Sequence, residues 1–279
     1  MAIEVKVVGL DIAKNVFQIH GVDHRGEAVL RRRLRRAQVA EFFRQRSPCL
    51  IGIEATQDAH YWGRVLRAFG HDVRLIAPQF VKPYLKSHKN DANDAEAICE
   101  AVSRPNMRFV PNKSIEQQDL QALHRIRSRM IGSRTQLGNQ IRGLLAEYGI
   151  VLPLHLSQVR KAMPELMEED NALLSGFGRQ LLASLYEELC TLEQRIAAME
   201  ERIHQVHRSN PLCQKIAAVD GVGPVIATAV VAQLRMEESS TTDDSLRPGL
   251  DWCRDSIPAA TSSVFPGSPN AAILTCECC

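Results

Sequence analysis

The 279-residue chain is 45% hydrophobic and 24% charged, an ordinary water-soluble composition with apolar material for one large or two modest domains. No apolar run reaches the roughly 18 residues of a membrane-spanning helix, and the opening MAIEVKVVGLDIAK alternates like a strand without the basic flank of a signal peptide, so no membrane association and a cytoplasmic location are expected. The net charge of +2 is unevenly divided: residues Glu237 to Cys279 hold two arginines against seven acids, which leaves +7 on residues 1–236 and suits a polyanionic partner.

In chain order, Glu4 to Leu10, Val16 to Val22 and Ala28 to Leu34 read as three strands joined by short polar turns such as DHRG at 23–26, a spacing that demands antiparallel pairing. A helix from about Gln38 to Gln45 follows. Next come the buried strand CLIGIEA from Cys49, the helix HYWGRVLRAF, the strand DVRLIAP from Asp72, and helical material beyond Pro78. Cys49, Cys99, Cys190 and Cys213 are scattered singly and read as reduced thiols; Cys253, Cys276, Cys278 and Cys279 lack the spacing of a zinc site.

Three hairpin-linked strands followed by α-β-α-β-α is the order of the ribonuclease H-like fold, an α/β mixed sheet. That order fixes where acids would matter. Asp11 closes the first strand in GLDIAK, Glu54 closes the fourth in IGIEAT, and Asp91 and Asp94 open the helix in KSHKNDANDAEAICEA. Acids in a first helical turn also complement the helix dipole, and one acid ending a strand is often a polar terminus. Acids at all three topologically adjacent places point to a cation site, with Lys89 beside the pair to balance charge or touch a phosphate.

From Glu116 to about Tyr148 a long helix is predicted, with Leu123, Met130, Leu137 and Leu144 recurring every seven residues and Arg125, Arg127, Arg129, Arg134 and Arg142 on other faces. Those arginines read either as a solvated basic face or as a phosphate-contacting surface. From about Leu181 to Val206 a second helix carries Leu182, Leu185, Leu189, Leu192, Ile196, Met199, Ile203 and Val206 in a heptad seam. Its partner is a second subunit or the preceding helix. In IAAVDGVGPVIATAVVAQL a helix ends, Gly221 and Gly223 frame a turn, and Pro224 opens a small-residue helix; the segment fits a phosphate-binding hairpin or a plain tight turn. Beyond Glu237, 17 of 43 residues are Ser, Thr, Pro or Gly without apolar period, and disorder is expected.

GLDIAK, IGIEAT followed by HYW, the KNDANDAEAICEA block, the arginine-rich helix and DGVGPVIA together resemble the DEDD-type transposases of the bacterial insertion-sequence one-ten family, over residues 5 to about 233. The resemblance implies a ribonuclease H-like (RuvC-like) domain over 1–110 binding Mg²⁺ or Mn²⁺ through Asp11, Glu54, Asp91 and Asp94. It further implies a basic long helix over 111–155, a coiled-coil dimerisation arm over 156–210, and the helix-turn-helix-like start of a C-terminal transposase domain over 211–236. The tail over 237–279 departs from the family's basic continuation, as a truncated or frameshifted copy would, so the family's nucleophilic serine cannot be assigned.

The implied partners are DNA (element ends and target), an element-encoded guide RNA, and further copies of the chain as dimer or tetramer. The implied activity is DNA recombination by an insertion-sequence transposase. Two other classes compete: a Holliday-junction-resolving nuclease, which needs the acids alone, and a non-catalytic, dimerising nucleic-acid-binding fragment. A sugar kinase of the actin-like class is disfavoured, because GLDI is followed by no glycine and no later phosphate-binding Gly repeat.

Overall fold

A computed structural model describes residues 4–85, 91–168 and 173–234, with the side chains of Asp91 and Ala92 outside the described set. Lys89 and the predicted disordered tail over 237–279 therefore lie outside the described residues. The chain divides into two compact units, the first formed by residues up to Ser114 and the second by Ile115–Gln233.

In the first unit the described strands are β1 (Val7–Ile12), β2 (Val16–Val22), β3 (Ala28–Arg35), β4 (Leu50–Glu54), β5 (Asp72–Ile76) and the two-residue β6 (Phe109–Val110). They form a sheet in the order β3-β2-β1-β4-β5-β6, with β1 and β4 parallel, β4 and β5 parallel, and the other pairs antiparallel. This is a ribonuclease H-like mixed sheet. The helices are α1 (Arg36–Arg44), α2 (Ala59–Ala68), the short α3 (Pro78–Val81), and α4 (Asp91–Val102). The first strand starts at Val7 rather than Glu4 and ends at Ile12 rather than Leu10, so that Asp11 sits inside it rather than at its end.

Alternation gives the central strands β1 and β4 two covered faces, while the edge strand β3 buries only Leu30 and Leu34 and leaves Arg31 and Arg33 exposed. Val8, Leu10, Phe17, Ile19, Ile51, Ile53, Val73 and Leu75 pack with Val39 and Phe43 of α1 and Trp62 and Leu66 of α2. Ile76 on the opposite face packs with Ile98, Ala101 and Val102 of α4. Residues one apart in a strand point to opposite faces, so a single strand serves both cores.

The second unit holds α5 (Ile115–Glu147), α6 (Leu156–Leu166), α7 (Gly176–Ser209), α8 (Pro211–Ala217) and α9 (Pro224–Val231). The heptad seam of α7 finds a partner within the chain: Leu182 and Leu189 are buried with Leu137, Ile141 and Leu145 of α5 and Val159 and Met163 of α6. Of the predicted seven-residue stripe on α5, Met130 and Leu137 are buried but Leu144 is exposed, and Ile141 and Leu145 take its place. The physical reason is the mismatch between a 3.5-residue repeat and 3.6 residues per turn, which rotates a fixed stripe by about 20° per heptad.

Candidate metal centre

The placement of Asp11 and Glu54 follows from the register. Leu10 and Ile53 are partners across the parallel β1–β4 pair, and each acid is the next residue of its strand. Leu10 and Ile53 are fully buried toward α1 and α2, so Gly9 with Asp11, and Gly52 with Glu54, belong to the opposite face. That face is covered by α4. A Cβ added to Gly9 would lie 2.0 Å from the Ala95 carbonyl oxygen and 2.5 Å from the Cys99 backbone nitrogen, and one added to Gly52 would lie 2.8 Å from Val102 Cβ. Both glycines are therefore what lets α4 lie flat on the sheet.

The contacts also give the direction of α4. The Cys99 thiol donates to the Val7 carbonyl at 3.7 Å, while Gly9 meets both Cys99 and Ala95, so moving forward along β1 means moving back along the helix. Two residues beyond Gly9, about 7 Å by strand rise, is Asp11. Asp94 directly precedes Ala95, and Asp91 precedes it by one helical turn, about 6 Å. The helix start is thus carried over the strand edge that bears Asp11 and Glu54. Asp11, Glu54 and Asp94 are all half-buried.

Among the described residues no three His, Cys, Asp or Glu side chains already stand in a metal-holding group, and the Asp91 side chain lies outside them. The donor chemistry is nonetheless one-sided. Carboxylate oxygens alone suit hard cations such as Mg²⁺ and Mn²⁺ rather than zinc or copper. Cys99, the thiol nearest this edge, has its pKa raised to about 11 by burial, so it is a neutral packing group and no soft ligand at neutral pH.

Beyond the acids, the antiparallel rungs extend the same face toward the sheet edge. Asp11 pairs with Gln18, and Gln18 with Arg33; one rung back, Gly9 pairs with His20 and His20 with Arg31. Arg31 and Arg33 escaped the sequence reading, although the run RRRLRR at 31–36 was its visible signal.

The arginines singled out on the long helix separate by environment. Arg125 and Arg129 are exposed, whereas Arg127 forms an ion pair with Glu200 of α7 at 2.6 Å. Arg142 donates to the Leu154 carbonyl and to Asn139 Oδ1, and Arg134 is half-buried with its Nε fully covered. Gly221 has a φ of +83°, which explains glycine there, and Gly223 caps α9. A Cβ on either would meet no atom within 4 Å. The α8–α9 hairpin packs through Cys213, Ala227 and Val231 against Leu120, and Gln117 Nε2 donates to the Val231 carbonyl at 3.0 Å.

In α2, His60 stands apart electrostatically. Its Nδ1 accepts the Lys113 backbone N–H at 3.2 Å, and burial, with the Lys113 and Arg64 charges beside it, lowers its pKa to about 4. It is a neutral structural imidazole.

A family model described as Transposase, DEDD_Tnp_IS110, matches residues 8–150. The chain is 53% identical over 226 residues to a Pseudomonas aeruginosa protein named "Probable family 20 transposase", which is 81% of this chain and 67% of that protein. It is 40% identical over 231 residues to the transposase for insertion sequence element IS1111A of Coxiella burnetii, covering 83% of this chain and 64% of the relative. With the transposase for insertion sequence element IS1328 of Yersinia enterocolitica it shares 34% identity over 232 residues, 82% of this chain and 68% of the other. The match thus spans about two thirds of the length of these relatives.

Proposed function

The chain belongs to the IS110 family of DEDD transposases, and from that premise we propose that it processes the DNA of an insertion element through a divalent-cation site built from Asp11, Glu54, Asp91 and Asp94. The observation that supports the reading is the β1–β4 register, by which Asp11 and Glu54 follow a partnered pair on neighbouring strands, on the face that α4 covers. Mg²⁺ or Mn²⁺ bound there would supply Lewis-acid neutralisation of charge on phosphodiester oxygens.

The chain's own groups have the remaining tasks. The four carboxylates hold cations and repel a bare phosphate, so DNA approaches only when their charge is balanced. The covered side of the sheet, closed by α4 over Gly9 and Gly52, keeps the acids at fixed spacing.

The partners in this reading are element ends and target DNA, with a structured element-encoded RNA as guide. A dimer or tetramer is proposed as the working assembly, measured by light scattering at micromolar concentration. The test of function is Mg²⁺-dependent processing of element-end DNA by the full chain. Loss of that processing in Asp11→Asn, with unchanged circular dichroism, is the expected result. Nicking confined to four-way junctions would instead favour a junction-resolving nuclease, and metal-independent binding with no processing would favour a non-catalytic fragment.

A further inference from the structure

The run RRRLRR at 31–36 is split by the strand's alternation into parts with different duties. Arg32 shares a face with Leu30 and Leu34, which are buried in the core beneath α1 and α2. Arg36 opens α1 and is committed to Asp58 at 2.8 Å, and Arg35, although on the same face as Arg31 and Arg33, ends the strand one rung beyond Arg33, where α1 begins. Arg31 and Arg33 remain, both on the face that carries Asp11.

What covers that face decides what these two can do. α4 packs on β1, β2 and β4, and the edge strand β3 carries Arg31 and Arg33 past it. A groove of about 280 Å³ results, bounded on the sheet by Gln18, His20 and the stretch Arg31, Arg32 and Arg33, in which alternation turns Arg31 and Arg33 to the α4 side, and on α4 by Asn93 and Glu96. The Arg31 side chain is 71% exposed, with only a long 3.9 Å approach to Glu96, and Arg33 makes no ion pair among the described residues.

Two cations are thus fixed on a rigid strand about 7 Å apart by the strand rise, on the scale of successive phosphates of one nucleic-acid strand. The Arg33 rung leads inward through Gln18 to Asp11, two strand spacings or about 10 Å away, and the Arg31 rung through His20 to Gly9, one position before Asp11 on that face. An acid cluster that must act on a polyanion needs cationic charge beside it to hold the flanking phosphates. We infer that the β3–α4 groove is a phosphate track in which Arg31 and Arg33 hold the backbone of the DNA strand whose neighbouring phosphodiester lies at the acids. This rests on the acids forming the proposed cation site, and DNA is favoured over RNA because the track runs on the same rungs as Asp11, where the strand to be processed must lie.

The experiment measures binding of a labelled 30-base-pair DNA to the full chain by fluorescence anisotropy across a potassium chloride series. Each phosphate contact contributes about 0.9 to the slope of log K against log salt on duplex DNA. Arg31→Ala with Arg33→Ala should make that slope shallower by about 1.8, while Arg31→Lys with Arg33→Lys should retain it and Arg195→Ala, exposed on α7, should leave the track's share intact. An unchanged slope in the double alanine variant, with wild-type circular dichroism, overturns the track. So does an equal change in the Arg195→Ala control. A slope change on an RNA hairpin but none on DNA also overturns it, because the groove then belongs to the guide.

Mn²⁺ binding, read by the loss of the free ion's paramagnetic resonance signal, separates the two readings. The double alanine variant should bind Mn²⁺ as wild type does, and Asp11→Asn should not. Failure of Asp11→Asn to alter Mn²⁺ binding removes the cation site. A salt slope that still falls in the double alanine variant would then keep Arg31 and Arg33 as DNA contacts and remove only their relation to the acids.

Discussion

A methyl group on Gly9 would come within 2.0 Å of the Ala95 carbonyl oxygen, so β1 and α4 touch backbone to backbone two residues before Asp11. Neither partner can turn a side chain away to make room. Gly9→Ala must lift α4 from the sheet, and overpacking of this kind costs about 1–3 kcal/mol or more. Gly132, in open space on α5, is the contrast: Gly132→Ala should stabilise by up to about 1 kcal/mol through helix propensity. Urea midpoints of the two variants check both signs, and a Gly9→Ala protein as stable as wild type would contradict the close packing.

The same contact predicts a functional loss beyond stability. In Gly9→Ala protein that remains folded at low temperature, Mn²⁺ affinity should fall, because the helix start carrying Asp94 is moved relative to Asp11. Gly52→Ala, whose Cβ meets the Val102 and Ile98 side chains rather than backbone, should show a smaller fall. Titration of free Mn²⁺ orders the two.

Leu189 is fully buried in the α5–α6–α7 core. Leu189→Ala should cost about 2–5 kcal/mol by lost transfer energy and cavity formation. Thermal melts of the full chain should show the loss independently of protein concentration, since its partners Ile141 and Leu145 lie in the same chain. A concentration-dependent loss would assign the seam to a second subunit.

His60 gives a pH dependence with a definite sign. Its folded pKa of about 4 lies below the ordinary 6.5, because burial disfavours the charged ring. The unfolded chain therefore takes up the proton first, and this contribution to stability is complete above about pH 6.5 and is lost as pH falls toward 4. Urea midpoints at pH 7 and pH 5 should differ less in His60→Gln than in wild type. An equal pH dependence in the two proteins would remove His60 as a source.

Much of the sheet was legible because its causes are local. Alternation of Val16 to Val22, the short DHRG turn and the apolar run Leu50 to Ile53 determine strands and the antiparallel hairpins without reference to the rest of the chain. From that order the acids Asp11, Glu54, Asp91 and Asp94 are expected at one edge, and the β1–β4 register puts Asp11 and Glu54 on neighbouring strands. β6, with two residues, was invisible because so short a strand has no period to read.

Other features depended on what lies opposite. A heptad repeat such as Leu182, Leu189 and Ile196 specifies an apolar stripe and says nothing of the helix that covers it; folding back of α5 decided that the partner is internal. Leu144 belonged to the sequence stripe, but helical drift handed its burial to Ile141 and Leu145. Nothing local distinguishes the five arginines of 31–36; the register and the reach of α4 separate Arg31 and Arg33 from Arg32 and Arg36. The sequence by itself determined which elements form and which residues are acidic or basic, since propensity and period act between near neighbours. Only the tertiary structure decided which faces are covered, because burial is set by the helix packed opposite and not by the strand that offers its side chains.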